Sequence, residues 1–302
     1  MTQKSKAVST AKLKLMSSML VFGTIGIFVR YIGLPSSVIA VCRGYVGMLF
    51  LALVLLVQRK KPDVQAIRAN LVLLVVSGGL IGMNWIALFE AYNYTTVTTA
   101  TLCYYLAPVF VTLASPFVLR EKLTGRKLIC VAVALFGMVF VSGVLEGGIS
   151  GPLGILYGVA AAVLYASVIL LNKRMKPIPA FDKTLIQLGV AATVALPYVL
   201  ATVDVGALHP APLALILLLV VGVIHTGVAY TMYFSSMDDI PAQTVALFSY
   251  IDPVSAIFLS AIFLKEPLTL FSCIGAVLVL GSTLVSELHG HKESKLPVEP
   301  VV

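Results

Sequence analysis

Charge is what this chain of 302 residues has least of: 13 acidic and 21 basic side chains make up 11% of it, against 59% hydrophobic. A soluble domain is about a quarter charged, so a fold surrounded by water is excluded and most of the chain belongs in lipid. Histidine is scarce, four in all, and only His225 lies inside an apolar run. No His-Glu-x-x-His or other nucleophile–base set occurs within a helix-length segment, which argues against an intramembrane enzyme. The four cysteines, Cys42, Cys103, Cys130 and Cys273, sit in apolar runs with no CxxC or Cys/His cluster. They read as small buried hydrophobes, with no support for a disulfide framework or a metal site. A GxxxxGK[ST] phosphate loop is also missing, so direct ATP drive is not expected. Nor is there a filter-like loop or a ring of charge to suggest a channel. No cofactor is expected.

What the chain does contain is a repeat. Ala100–Thr124 (ATLCYYLAPVFVTLASPFVLREKLT) recurs as Val245–Thr269 (VALFSYIDPVSAIFLSAIFLKEPLT), and at an offset of 145 nine of 25 positions are identical. Leu and Val matches come easily in so apolar a chain, but Tyr105/Tyr250, Pro108/Pro253, Glu121/Glu266 and Thr124/Thr269 do not. Each copy reads as an apolar helix broken near its middle by proline, then a charged corner, then another apolar helix.

Ten apolar runs of about 20 residues, the length that crosses a bilayer as helix, fall at roughly 13–32, 36–57, 68–90, 96–119, 125–144, 151–171, 183–202, 212–235, 241–264 and 268–287. Basic residues precede the first span (Lys4, Lys6, Lys12, Lys14). They recur between spans two and three (Arg59, Lys60, Lys61, Arg68), four and five (Arg120, Lys122, Arg126, Lys127), and six and seven (Lys173, Arg174, Lys176, Lys183). With ten spans all of these share one side, which the positive-inside rule makes cytoplasmic together with both termini. The formal charge of +8 is therefore a topology signal and not a nucleic-acid footprint. Five spans per repeat, an odd number, turn the second copy upside down, the common plan of secondary transporters. The expected division is a cytoplasmic segment 1–12, a first five-helix repeat 13–144, a second, inverted repeat 150–287, and a disordered cytoplasmic tail 288–302.

Ten spans as five plus five, with helices four and nine each carrying Tyr-x-x-Pro-Val and ending in (Arg/Lys)-Glu-x-Leu-Thr, resemble the EamA-type members of the drug/metabolite transporter superfamily. The resemblance spans residues 13–287. It implies a ten-helix basket, a central cavity formed by helices of both repeats, and transport of small metabolites, often export of amino acids and related compounds.

Candidate site residues follow from depth and polarity. Pro108 and Pro253 remove intrahelical hydrogen bonds mid-span and are read as bends. Asp252, before the second proline and near mid-depth, is costly in lipid and so points to a polar path; its repeat counterpart is Ala107. It is a candidate for binding a substrate ammonium, and with His225 for proton coupling, His225 also having a structural reading as a hydrogen-bonded core residue. Trp85, Tyr104, Tyr105, Tyr230 and Tyr250, with Asn84 beside Trp85, are expected to line the cavity, since mid-membrane aromatics with polar tips need partners. Arg43 reads as a structural ion pair or snorkelling group. Glu121 and Glu266 are expected to fix the corners by accepting N–H bonds at the next helix start. Gly23, Gly26, Gly44, Gly47, Gly78, Gly79 and Gly82 are expected to form tight helix seams. The reading is a multi-pass cell-membrane secondary transporter exporting an amino acid or related amphipathic metabolite by alternating access. Its alternative is uptake or exchange of a cationic metabolite or quaternary amine. The expected partners are a small-molecule substrate, protons as a candidate coupling ion, and lipid.

Overall fold

The chain is seen here as a computed structural model, which describes residues 3–95, 97–141, 144–147, 151–263, 265 and 269–293. Every regular element among them is helical. In chain order they are α1 (Gln3–Ile32), α2 (Ser36–Val57), α3 (Val64–Tyr94), α4 (Val97–Tyr104), α5 (Ala107–Leu119), α6 (Gly125–Val141), α7 (Val144–Gly147), α8 (Pro152–Arg174) and α9 (Ala180–Thr202). There follow α10 (Pro212–Val220), α11 (Ala229–Ser236), α12 (Ala242–Phe248), α13 (Ile251–Phe263) and α14 (Leu270–Glu293). A π-helical turn, Val221–Val228, joins α10 to α11 without interrupting the rod.

Local chemistry sets the ends. Asp63 caps α3 by accepting from the Ala66 N–H at 2.9 Å, and Pro152 and Pro212 occupy first-turn positions where a missing N–H costs nothing. At the charged corner after α5, Arg120 adopts a left-handed φ of 56°, and Lys265, its counterpart 145 positions on, has the same φ of 56°. The duplication thus extends to a conformation that non-glycine residues seldom take.

Eight helices among the described residues are long and apolar enough to cross a membrane: Ala7–Ile32, Ser36–Val57, Val64–Tyr94, Leu102–Leu119, Pro152–Arg174, Ala180–Thr202, Pro212–Ser236 and Ala242–Phe263. The other two expected spans fall short. α6 has 17 described residues, and the apolar part of α14 is Cys273–Val285. The two pack along each other. Both ends of the chain also differ from expectation. α1 already begins at Gln3 and absorbs the basic start, and α14 runs on to Glu293, past the expected limit at 287.

The packing obeys an exchange rule. α1 lies along α13 and against α10–α11, while α8, its counterpart, lies along α4–α5 and against α3. α2 crosses α10 and the π turn, and its counterpart α9 crosses α3. The pairs α2–α9 and α6–α14 join counterparts directly. Swapping the two halves returns these main contacts, so the repeats are related by an approximate two-fold. α12 departs from it by packing on α5 where, among the described residues, α4 has no such contact with α13.

Small residues make the seams. A Cβ on Gly82 would meet the Ala191 carbonyl oxygen at 2.5 Å, and one on Gly78 would meet Val190 at 2.8 Å, fixing α3 against α9. Gly44 and Gly47 sit equally close to α9 and the π turn, and Gly23 to α13. Gly26 and Gly79 are different: nothing lies within 4 Å of their Cβ positions, because they face away from neighbouring helices.

Candidate functional site

The two helix breaks are where the site forms. As expected of an apolar helix broken near its middle by proline, each helix stops and restarts there. α4 ends at Tyr104 and α5 begins at Ala107, with Pro108 in the first turn of α5; α12 ends at Phe248 and α13 begins at Ile251, with Pro253 in its first turn. Proline cannot donate to the residue four back, so the ladder fails one turn ahead of it. The Val109 N–H turns to Leu106 O at 2.9 Å, which leaves the Tyr105 carbonyl outside the helix. That carbonyl accepts from the Tyr250 hydroxyl at 2.9 Å.

Between the breaks lies a cavity of about 50 Å³, lined by Met19 and Phe22 of α1, Tyr104, Tyr105, Ala107 and Pro108 at the first break, Tyr165 of α8, and Ser249, Tyr250 and Asp252 at the second. A cavity of that size holds a few water molecules and no metabolite. Asp252 is half-buried and its carboxylate is the formal charge among the lining residues. Gly23 lets α1 press onto its backbone: a Cβ there would stand 2.9 Å from the Asp252 carbonyl oxygen.

Aromatic rings form the walls. Tyr104 stacks on Tyr165, with centroids 5.5 Å apart and planes at 25°, and Tyr105 faces Tyr250 at 6.4 Å. The Tyr165 hydroxyl bonds the Tyr233 hydroxyl at 2.7 Å and Ser249 Oγ at 3.3 Å. Burying such polar tips without partners would be costly; this triad satisfies them while leaving Tyr165 and Ser249 on the cavity wall.

Of the residues singled out in the sequence, Tyr104, Tyr105, Pro108, Tyr250 and Asp252 meet at this cavity, whereas Pro253 supports its wall from within α13. The remaining ones are placed elsewhere. Asn84 spends its amide on the Ala161 carbonyl at 2.7 Å, tying α3 to α8. Trp85 is 4% exposed and belongs to the main core. The Arg43 guanidinium, read as an ion-paired or snorkelling group, lies 5.1 Å from the Trp85 ring centroid in a cation–π contact, and among the described residues its Nε has no hydrogen-bond partner. Tyr230 stands one layer back, edge-on to Phe22 at 5.2 Å. His225, in the π turn, bonds Thr24 Oγ1 of α1 at 2.7 Å and packs on Phe28 at 4.8 Å. No hydrogen bond joins it to Asp252.

Glu121 does cap a helix, but not the one that follows it. Its carboxylate accepts from the Ala242 and Gln243 N–H groups at 2.8 and 3.4 Å, at the start of α12 in the other repeat. The left-handed turn at Arg120 swings the corner away from α6 and towards that partner. Glu266 lies outside the described residues.

Sequence reasoning did not find Phe22, Met19, Tyr165, Tyr233 or Ser249. Ser249 was within reach, since it is the counterpart of Tyr104 in the aligned copies. The others come from α1, α8 and α11, where no repeat match marks them.

The sequence matches the EamA-like transporter family twice, over residues 10–143 and 152–287. The chain belongs to that family. It is 28% identical over 299 residues to a Bacillus subtilis protein named "Uncharacterized transporter YxxF", covering 98% of this chain and 95% of that protein. An "Uncharacterized transporter" of Archaeoglobus fulgidus is 27% identical over 271 residues, covering 89% and 93%. A solved crystal structure shares the fold with a TM-score of 0.83 at 21% identity, over 94% of this chain and 98% of that one. The EamA chain described here is thus a multi-pass membrane transporter with a two-repeat architecture.

Proposed function

We propose that this EamA transporter is a secondary carrier that exports an amino acid or related amphipathic metabolite across the cytoplasmic membrane by alternating access. The observation that carries the reading is the small cavity at the two helix breaks, with Asp252 as its charge and tyrosines as its walls. Broken helices near a pseudo-two-fold are a recurrent way of exposing backbone polar groups to a substrate at mid-depth. α6 and α14 complete a ten-span, inverted five-plus-five arrangement with both termini in the cytoplasm, the orientation that the basic loops favour. Asp252 is the group for a substrate ammonium or a coupled proton. His225, on Thr24, tunes the α1 contact.

A second reading is uptake or exchange of a quaternary amine or other organic cation. The stacked Tyr104–Tyr165 pair beside a carboxylate favours it, because a desolvated cation gains from both ring face and acid. Proteoliposomes loaded with labelled amino acids or choline-type amines separate the two. Asp252→Asn and Tyr105→Ala are expected to reduce the transported species at least about tenfold, the equivalent of one lost charge-assisted contact. Unchanged transport in both variants would sink the central-site reading.

A further inference from the structure

A second and larger cavity, about 500 Å³, opens at the end of the helices where α3 begins, α8 ends and α9 begins, lined by Asp63, Asn172, Lys173, Met175, Ile178 and Asp238 among others. Its volume falls within the range of about 300–1,000 Å³ typical of small-molecule sites, whereas the central cavity is too small to admit a metabolite. We propose that this cavity is a binding site for a small zwitterion, the place where substrate docks before the central cavity opens. The proposal rests on the transport reading only for the direction from which the ligand arrives.

The chemistry of the walls selects the ligand. Lys173 donates to Met237 O at 2.6 Å and Ile240 O at 2.9 Å. An ammonium has three donors, so one remains for a ligand carboxylate. Asp238 is 56% exposed and uses one oxygen on Lys183 at 3.3 Å; Asp63 uses one oxygen on its own helix cap. Their other oxygens are acceptors for a ligand ammonium. Met175, Ile178 and Met237 supply an apolar flank. One cation, two carboxylates and an apolar wall suit a zwitterion with a hydrophobic side chain better than a simple anion, which the acids repel, or a simple cation, which Lys173 repels.

The site is wired to the break. Lys173 holds the turn between α11 and α12, Lys183 holds Phe234 O at 3.0 Å in the last turn of α11, and Glu121 caps α12 from the far side. α12 is seven residues long, ends at Phe248 and leads directly into Ser249 and Tyr250 of the break. A carboxylate that draws Lys173 off its two carbonyls frees that turn and, through α12, the wall of the central cavity.

Isothermal titration of the purified protein with L-leucine, L-phenylalanine and L-serine is the test. Saturable binding of at least one is expected, weakened about tenfold or more for leucinamide, which lacks the carboxylate, and for 4-methylpentanoate, which lacks the ammonium. Lys173→Met and Met175→Trp are each expected to remove this binding. The second fills the cavity without touching the Lys173 bonds, and so keeps the test valid should Lys173→Met fail to fold. Asp252→Asn is expected to bind as before even where it stops transport, which separates failure of this site from failure of the central one. Four results would overturn the inference: no binding of any of the three amino acids, full binding by Met175→Trp, loss of binding in Asp252→Asn, or tighter binding of glycerophosphoethanolamine than of every amino acid, which assigns the cavity to a lipid headgroup.

Discussion

The Tyr250 hydroxyl donates at 2.9 Å to the main-chain carbonyl of Tyr105, the residue that occupies the same position in the other repeat. Two equivalent residues can touch only near the axis that relates them, so this bond marks the pseudo-two-fold. It is also one-way: both residues border the cavity, but the Tyr250 side chain donates and the Tyr105 main chain accepts. The symmetric sequence therefore yields an asymmetric centre.

Tyr250→Phe is expected to lower stability by about 1–3 kcal/mol, because it strips the donor from a carbonyl already excluded from its helix. Tyr105→Phe, whose hydroxyl takes no part in that bond, is expected to leave thermal stability nearly unchanged. Unfolding midpoints of the two variants in one detergent decide it; equal losses would count against the one-way bond.

Glu121→Ala is expected to cost about 0.5–2 kcal/mol, the range for losing a helix cap, and Glu121→Gln markedly less, since the amide oxygen can still accept. Amide hydrogen exchange should locate the damage at Ala242 and Gln243. Faster exchange at the start of α6 instead would show that the cap serves the helix next in sequence.

Gly82→Ala and Gly26→Ala are expected to have opposite signs. The first drives a methyl into the Ala191 carbonyl at the α3–α9 seam, an overpacking of about 1–3 kcal/mol. The second adds a methyl where nothing stands within 4 Å and is expected to stabilise by about 0.5–1 kcal/mol through lower backbone entropy in the unfolded chain. Midpoints that shift alike for both would contradict the seam.

Asn84→Ala is expected to loosen α3 from α8, at about 1–3 kcal/mol for the Ala161 carbonyl left buried without its donor, with the KM for transport unchanged. Tyr165→Phe is expected to do the reverse, raising KM while folding well, because its hydroxyl stands on the cavity wall. A raised KM for Asn84→Ala would return that residue to the substrate site.

How much of this was legible in the sequence depends on what each signal encodes. The duplication is carried by Tyr, Pro and Glu identities, which chance seldom supplies, and it correctly located the two breaks, the Tyr105–Tyr250 pair and the Ala107/Asp252 difference. Facing was not legible. Helices apolar nearly all round give no stripe to orient them, so Trp85 and Asn84 were expected at the cavity but turn towards α2, α8 and α9, away from it. Phe22, Tyr165 and Tyr233 were hidden for the same reason. The π turn at His225 and the reach of Glu121 across to α12 depend on neighbours that no local pattern reveals.

One consequence of the exchange rule concerns heredity as much as mechanics. Because α1 grips α13 and α8 grips α4–α5, the first helix of each repeat belongs physically to the other repeat. Neither half closes its own core, and α1 of the first half lies directly against Asp252 of the second. A half-length ancestor with this packing would have needed a second copy of itself to fold, and fusing two copies would have freed one of them to acquire an acid that the other lacks.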